Sequence, residues 1–414
     1  MSNDAQDGIV IIGAGECGAR TALALRDEGF AGTITLLGSE AHLPYERPPL
    51  SKDVLTGTDS PTLRQIASRE QFETSGITFL PGSNAVEIDR AGTQVRLSDG
   101  QALGYSKLLL TTGASPRRLP MAEGSCHCVY LRTHDDAIAI RAKLGRGGHV
   151  AIIGGGFIGL EIAASARKLG CAVTIVEGLE RILMRGVPAE IARVIHDEHE
   201  RQGARVITAK GLASIEDNGD RAVVTLTDGE VIAADLVVVG IGAVPNVALA
   251  EAAGLEISNG IAVDQHLRTS DPSIYAAGDC ASFPVAVYGG RRVRLESWRN
   301  THDQAKVAAS NMMGGDAIID AVPWFWSDQY DLGLQVAGLA DEGTTTVRRD
   351  VGDGAFILFS LADDGRLVAA SGIGPGNSVA RDIRIAEMLI AKRAHPDPAL
   401  LAASDTKLKA LLAA

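Results

Sequence analysis

The segment Gly13-Ala14-Gly15-Glu16-Cys17-Gly18 follows a short apolar run, 8–12, and precedes an Ala/Leu-rich stretch that reaches Arg26. A Gly-x-Gly-x-x-Gly turn between a strand and a helix lets backbone N–H groups at the positive helix end approach a pyrophosphate. The pattern returns at 150–153, which runs into Gly154-Gly155-Gly156-Phe157-Ile158-Gly159, a helical stretch over 160–169, a strand over 172–176 and then Glu177. An acidic side chain at the end of that second strand accepts hydrogen bonds from an adenosine ribose. Its charge also repels a 2′-phosphate, and Gly178, Leu179 and Glu180 offer no cation to offset it. The second turn is therefore expected to take NADH rather than NADPH. In the first unit the strand at 33–37 is followed by Gly38-Ser39-Glu40, so either Ser39 or Glu40 holds the ribose position.

The elements that must carry these turns can be read from the same patterns. Each strand, glycine turn, helix and strand forms a βαβ unit of a dinucleotide fold. The two turns are too far apart for a solenoid repeat, so they mark separate units. The runs 105–114 and 234–243 resemble one another, and each follows an Asp-Gly turn (Asp99-Gly100 and Asp228-Gly229) that predicts a hairpin. Each run closes its unit. From Pro323 aromatics cluster and short alternating runs precede a helical tail, which reads as an α+β module. The expected fold is α/β: two Rossmann-like dinucleotide-binding domains, glutathione-reductase-like in arrangement, plus a C-terminal α+β domain. The expected boundaries are 1–113 with 244–322 for a discontinuous FAD unit, 114–243 for the NAD unit and 323–414 for the last module.

Composition excludes other classes. The chain has 414 residues, 46% hydrophobic and 22% charged, with 39 basic against 51 acidic side chains and a net charge of −12. A nucleic-acid binder would carry a basic excess. The five cysteines are too few and scattered for a disulfide framework, the acidic N-terminus is no signal peptide, and no apolar stretch is long enough to span a membrane. A cytoplasmic protein with no membrane or nucleic-acid partner is expected.

Two dinucleotide sites in one chain suggest a flavin and a nicotinamide exchanging electrons, and a longer pattern supports FAD. Residues 269–279, ending Ala277-Gly278-Asp279, resemble the second FAD motif of the two-dinucleotide flavoprotein disulfide reductases. Members that reduce disulfides or peroxide carry a redox cysteine near the end of the first unit, yet the matching stretch, 40–52, has none. Its Tyr45-Glu46-Arg47-Pro48-Pro49-Leu50-Ser51-Lys52 instead resembles the signature of the ferredoxin reductases of oxygenase systems, the putidaredoxin reductase and biphenyl-type dioxygenase reductase family. Leu131-Arg132-Thr133, Leu295-Glu296-Ser297-Trp298 and the run from Pro323 to Tyr330 agree, in the right order over the whole chain. The resemblance implies an FAD-dependent NADH:ferredoxin reductase feeding an oxygenase through a two-iron two-sulfur ferredoxin.

The resemblance also implies roles. Lys52 lies near flavin N5 and pairs with Glu161, the two catalytic candidates. Gly13, Gly15, Cys17, Gly18, Ser39 or Glu40, Arg47, Ala85, Arg132, Asp279, Trp298 and Trp326 belong to FAD. Gly154, Gly156, Phe157, Ile158, Gly159, Glu177, Arg185 and Gly242 belong to NADH, with Phe157 near the stacked nicotinamide. Ser39 departs from relatives that have an acid there. Trp298-Arg299 stands where haem-monooxygenase reductases tend to have Val-Pro, which leans towards the dioxygenase branch. Physical chemistry points the same way, because a cation near N5 stabilises negative charge on a reduced flavin while the cofactor supplies the reaction.

Other candidates read as structural. Cys126-His127-Cys128 lacks a second pair at zinc spacing, so no metal is expected. Cys280 has no partner cysteine in sequence and reads as a packed thiol. His196 and His199, among Asp197, Glu198 and Glu200, read as a solvated helix face. Arg291-Arg292-Val293-Arg294 is either a solvated turn or, with Lys306, a docking patch for an acidic ferredoxin. Two rival functions stay open: an NADH oxidase or peroxidase, and a flavoprotein of the apoptosis-inducing-factor type that binds partners in response to NADH.

Overall fold

The computed structural model describes residues 8–58 and 61–412. The chain divides into two compact units, one of Met1–Glu46, Leu63–Ser115 and Val244–Ala321, the other of Arg47–Thr62, Pro116–Ala243 and Val322–Ala414. Arg47–Thr62 groups with the second unit, although sequence order places it inside the first nucleotide-binding segment. The C-terminal module groups with that second unit as well.

The first unit is built on five parallel strands in the order Ile274–Ala276, Lys107–Leu110, Ile9–Ile12, Ile34–Leu37 and Ile77–Leu80. Ile9–Ile12 is wholly buried, as a central strand covered on both faces must be. It lies where the strand order reverses, so the turn at Gly13 opens at the switch point where ligands bind in such sheets. Helix Glu16–Asp27 follows the turn and buries Cys17, Ala19, Ala22 and Leu25.

The second unit repeats the plan with Arg205–Ile207, Ala172–Val176, His149–Ile153, Leu236–Val239 and Cys128–Val129. The two similar runs take matching places: Lys107–Leu110 and Leu236–Val239 pair in parallel with the strand before each glycine turn. Both Asp-Gly turns join antiparallel strands, Gln94–Leu97 to Ala102–Gly104 and Arg221–Leu226 to Val231–Ala234.

The C-terminal module is an antiparallel sheet ordered Trp324–Gln329, Leu332–Gly338, Leu367–Pro375, Ala355–Leu361, Thr345–Gly352. Ile383, Ala386, Leu389 and Ile390 of helix Ala380–Ala391 share one core with Ile357, Phe359 and Ala370. Alternation along Trp324–Gln329 sends Phe325, Ser327 and Gln329 to one face and Trp324 and Trp326 to the other. Among the described residues no helix is long and apolar enough to cross a membrane.

Candidate functional site

The glycines at the two turns fall into distinct classes. A Cβ on Gly13 would sit 2.1 Å from the Thr111 carbonyl oxygen, and one on Gly18 would sit 2.0 Å from that of Gly13. Gly15 meets nothing within 4 Å. The outer glycines let the chain turn and the helix close on the strand, and the middle one leaves its side open for a ligand. In the second unit, Cβ atoms on Gly154 and Gly159 would lie 2.4 Å from the carbonyl oxygens of Gly240 and Gly154, while Gly156 has its nearest neighbour at 3.9 Å. Gly242 takes φ +107°, and its carbonyl accepts from the Arg117 N–H.

Neither helix that follows a glycine turn has a side-chain N-cap, a trait shared with Ala189–Arg201 and Ala380–Ala391 but not with His134–Leu144 or Trp298–Met312. Thr133 and Ser297 accept from backbone N–H groups at the starts of His134–Leu144 and Trp298–Met312. The helices after the glycine turns begin on Gly15 and Gly156 with no side-chain cap. Their first-turn donors are thus left to something other than a side chain, as a phosphate-binding helix requires. Glu16 puts a carboxylate in the first such turn, but Arg20 and His302, the latter at 2.8 Å, pair with it.

In the first unit, a cleft of about 420 Å³ is lined by Gly13, Ser39, Ala85, Thr112 and Asn246, among others. Ser39 faces this cleft, whereas Glu40 accepts the Tyr45 hydroxyl at 2.5 Å. Gly278 takes φ +80°, and a Cβ there would lie 3.2 Å from Cys17 Cβ, so the Gly278-Asp279 turn rests against the first glycine helix. Buried Gln304 accepts the Gly278 N–H at 2.6 Å. Gln304 was invisible in the sequence because it joins the turn from a distant helix. Trp298 packs against His302 with ring centroids 3.9 Å apart and planes tilted by 46°, and lies beneath Arg20.

The Cys280 thiol is packed as expected, and the structure adds a neighbour to it. Cys280 has no partner nearby in sequence, but Cys17 is its neighbour in space. Burial first, then Cys280 and Asp279, raise the Cys17 pKa well above a thiol's ordinary value. Burial likewise raises that of Cys280. Both are free and buried.

In the second unit, Glu177 does more than the ribose role requires. Its Oε2 accepts the Gly155 N–H at 2.7 Å and its Oε1 accepts the Leu179 N–H at 2.8 Å, so both oxygens are pinned. Arg185 is exposed in the following loop, and Arg181, missed in the sequence, ties that loop by donating to the carbonyls of Ile182, Leu183 and Val187. Phe157 packs edge-on against Phe325 at 5.1 Å, and Ile158 is exposed.

The charged centre of the second unit is the pair of Lys52 Nζ and Glu161 Oε1, 2.9 Å apart. Glu161 is only 6% exposed. Ser51 Oγ donates to its Oε2 at 2.5 Å and Ser327 Oγ to its Oε1 at 2.7 Å. Pro48 and Pro49 set the short 3-10 turn that delivers Ser51 and Lys52. The Ser51 carbonyl also accepts from Ser165, fastening the segment to helix Phe157–Lys168. Arg47 donates to the Arg132 carbonyl at 2.5 Å. Trp326 donates to Asp328 at 3.0 Å and stacks on Trp324.

Two further expectations change. His199 is fully buried, not solvated: it falls with Ile191, Ala192 and Ile195 on the inward face of helix Ala189–Arg201, and only His196 stays near solvent, 3.5 Å from Glu200. Charge density misled where helical periodicity was the better guide. Among the docking candidates, Arg294 is turned inward onto the Asp279 carbonyl and Glu296, and Arg292 is held by the Val263 and Ser282 carbonyls. Arg291 and Lys306 are exposed. At the Cys126-His127 loop the ligand atoms of Asp217 come within 4.8 Å of both side chains, but Asp217 already accepts from Ser125 Oγ and the Cys126 N–H.

The family model for pyridine nucleotide-disulphide oxidoreductases matches residues 7–305. The chain belongs to that family. It is an oxidoreductase with two dinucleotide units, and FAD and NAD(H) are the cofactors of this class. The model for the reductase C-terminal domain matches residues 324–412. The chain is 42% identical over 409 residues to the ferredoxin–NAD(+) reductase component of the anthranilate 1,2-dioxygenase system of Burkholderia cepacia, covering 98% of this chain and 99% of that one. It is 37% identical over 421 residues to putidaredoxin reductase of Pseudomonas putida, with 99% and 98% covered. Among solved structures, the covalent putidaredoxin reductase–putidaredoxin complex matches with a TM-score of 0.92, 35% identity and 98% of both chains. Relatives in this pyridine nucleotide-disulphide family thus include reductase components of oxygenase systems.

Proposed function

We propose that the chain is an NADH:ferredoxin reductase that supplies electrons through FAD to a two-iron two-sulfur ferredoxin serving an oxygenase. The observation that carries this reading is the Lys52–Glu161 centre, placed by a segment, 40–52, that contains no cysteine. A disulfide or peroxide reductase needs a redox sulfur there. This chain presents a cation instead. When bound, FAD accepts a hydride and releases electrons one at a time.

The residues divide the remaining work. The uncapped helix after Gly13 and Gly15, with Gly18 closing it, receives the FAD pyrophosphate; Ser39 and Ala85 line the cleft for its adenosine end, and Asp279 and Trp298 hold further parts. We assign Arg47, Arg132 and Trp326 to FAD on the resemblance of their motifs. Lys52 is assigned to the flavin's reacting edge, where its ammonium offsets negative charge, and Glu161 keeps that ammonium in place. The turn at Gly154, Gly156 and Gly159 takes the NADH pyrophosphate, Glu177 and Arg185 its adenosine end, and Phe157 and Ile158 its nicotinamide side.

The ferredoxin partner is acidic in this reading, and the chain itself is at −12, so docking needs a local patch of opposite sign. Exposed Lys306 and Arg291 are the residues we assign to it. The deciding experiment compares NADH oxidation with a two-iron ferredoxin, with oxygen and with peroxide. Ferredoxin-dependent turnover far above the other two is expected. Equal turnover with oxygen or peroxide alone would replace this function with that of an oxidase or peroxidase.

A further inference from the structure

Behind the Lys52–Glu161 pair runs a continuous buried chain of side chains. Ser327 Oγ donates to Glu161 Oε1 at 2.7 Å, Gln329 Nε2 donates to Ser327 Oγ at 3.2 Å, Gln329 Oε1 meets His199 Nε2 at 2.8 Å, and His199 Nδ1 meets the Tyr330 hydroxyl at 3.0 Å. Ser327, Gln329 and His199 are each at most 3% exposed. Strand alternation brings Ser327 and Gln329 to the same face of Trp324–Gln329, and His199 reaches them from the inward face of helix Ala189–Arg201.

The directions of these bonds are forced from one end. A carboxylate paired with Lys52 only accepts, so the Ser327 hydroxyl gives it its proton. Ser327 Oγ must then accept from Gln329, which points the amide nitrogen at Ser327 and the amide oxygen at His199. That oxygen only accepts, so His199 carries its proton on Nε2 and leaves Nδ1 bare for the Tyr330 hydroxyl. Burial keeps this imidazole neutral, lowering its pKa below the ordinary histidine value. Every member donates towards Glu161, so the bonds reinforce one another. The amide in the middle blocks proton hopping. The chain therefore transmits orientation, not protons.

We infer that His199, Gln329 and Ser327 form a relay of positioning residues that fixes the Glu161 carboxylate and, through it, the Lys52 ammonium for electron transfer. The inference rests on the role proposed above for Lys52 and Glu161. With the relay intact, the negative charge of Glu161 is shared among Ser51, Ser327 and Lys52. With it broken, less of that charge is offset beside Lys52, and reduction of the flavin is disfavoured.

The test uses the FAD-loaded full chain with Ser327→Ala, Gln329→Met, His199→Phe and His199→Gln. Ser327→Ala should slow the limiting rate of flavin reduction at saturating NADH about tenfold, the scale of one hydrogen bond to a charged group, and Gln329→Met and His199→Phe, which break neutral bonds behind it, should slow it by a smaller factor. The NADH dissociation constant should stay within about twofold, because none of these residues belongs to the nucleotide turn. The flavin midpoint potential, read by dye equilibration without NADH, should fall. Because His199 acts only through Ser327, the Ser327→Ala/His199→Phe double variant should be no slower than Ser327→Ala alone. His199→Gln keeps a donor at the Nε2 position and should recover most of the rate and the potential. Additive losses in the double variant, or a His199→Gln protein as slow as His199→Phe, would overturn the relay. If His199→Phe does not fold, Gln329→Met decides: an unchanged rate and potential there overturn the relay too. Failure of the underlying reading looks different, since flavin reduction unaffected by Lys52→Met would remove the role of Lys52 whatever the relay variants do.

Discussion

Replacing Glu177 with glutamine keeps its shape, removes its charge and should shift the balance between NADH and NADPH. The carboxylate cannot swing aside to admit a 2′-phosphate, because both oxygens are held by the Gly155 and Leu179 N–H groups at 2.7 and 2.8 Å. Two unit charges ~4 Å apart repel by about 1 kcal/mol in water and about 4 kcal/mol at an effective dielectric near 20. At ~1.4 kcal/mol per decade, that corresponds to a preference for NADH from about fivefold to several hundredfold. An amide has one accepting and one donating end, so Glu177→Gln also sets an NH₂ against one of the two backbone donors. Because Glu177 is only partly buried, that mismatch costs about 1 kcal/mol, the low end for an unsatisfied group, and lowers efficiency with both nucleotides. The ratio isolates the charge. Steady-state kcat/KM for each nucleotide should show the NADH-to-NADPH ratio narrowing by at least about fivefold, through recovery of NADPH relative to NADH. A ratio within about twofold of the parent would refute the electrostatic role and reduce Glu177 to a brace for the turn.

Three other outcomes are expected. Lys52→Met should slow flavin reduction by NADH and lower the melting temperature, because it leaves the buried Glu161 carboxylate without its cation; adding Glu161→Met should restore the melting temperature but not the rate, and a double variant as unstable as the single would argue against a buried-charge cost. For His199, burial lowers the pKa, with His196 acting the same way and the Gln329 bond and Glu198 opposing it, so the folded state holds its proton less tightly than the unfolded one. Its contribution to stability is therefore full above the unfolded value of about 6.5 and is lost as pH falls towards the lower folded value, so urea unfolding of His199→Gln should show a shallower loss than the parent as pH falls below about 6.5; equal slopes would contradict this. Lys306→Glu should slow ferredoxin-dependent cytochrome reduction and weaken its salt dependence while sparing ferricyanide reduction, whereas an equal loss in both assays would point to damage rather than docking.

What the sequence revealed follows from how local the constraint is. Gly13, Gly18, Gly154 and Gly159 were legible because a Cβ at any of them would strike backbone 2.0 to 2.4 Å away, a demand met only by glycine within a short motif. The parallel pairing of Lys107–Leu110 and Leu236–Val239 with the turn strands was legible from their apolar runs and glycine endings. Glu177 was legible as an acid at a strand end, but not as the brace of Gly155, since that bond depends on where two loops meet. Gln304 on Gly278 and Ser327 on Glu161 join residues far apart in the chain, and nothing in serine or glutamine marks them in advance. Arg294 and His199 were misread for a shared reason: runs of charge suggest solvent, while a single long or ring-bearing member can turn inward to satisfy buried oxygen acceptors.

The energetics of Glu161 give an independent reason to place it at the centre of function. Taking a carboxylate and an ammonium out of water costs several kcal/mol per ion, and well-packed apolar residues of similar size serve stability as well or better. A buried ion pair is thus a poor way to hold a fold together. Here the carboxylate, 6% exposed, is nevertheless given Lys52, Ser51 and Ser327 as partners, drawn from a proline-set turn and from a strand of the C-terminal sheet. His199 and Gln329 add further buried polar groups behind it, each costly if left unpaired and each satisfied in one direction only. Together these polar groups specify one orientation of one charge. Lys52 is the end of that arrangement that keeps partial access to solvent, its side chain 24% exposed, and it is therefore the member able to meet a ligand.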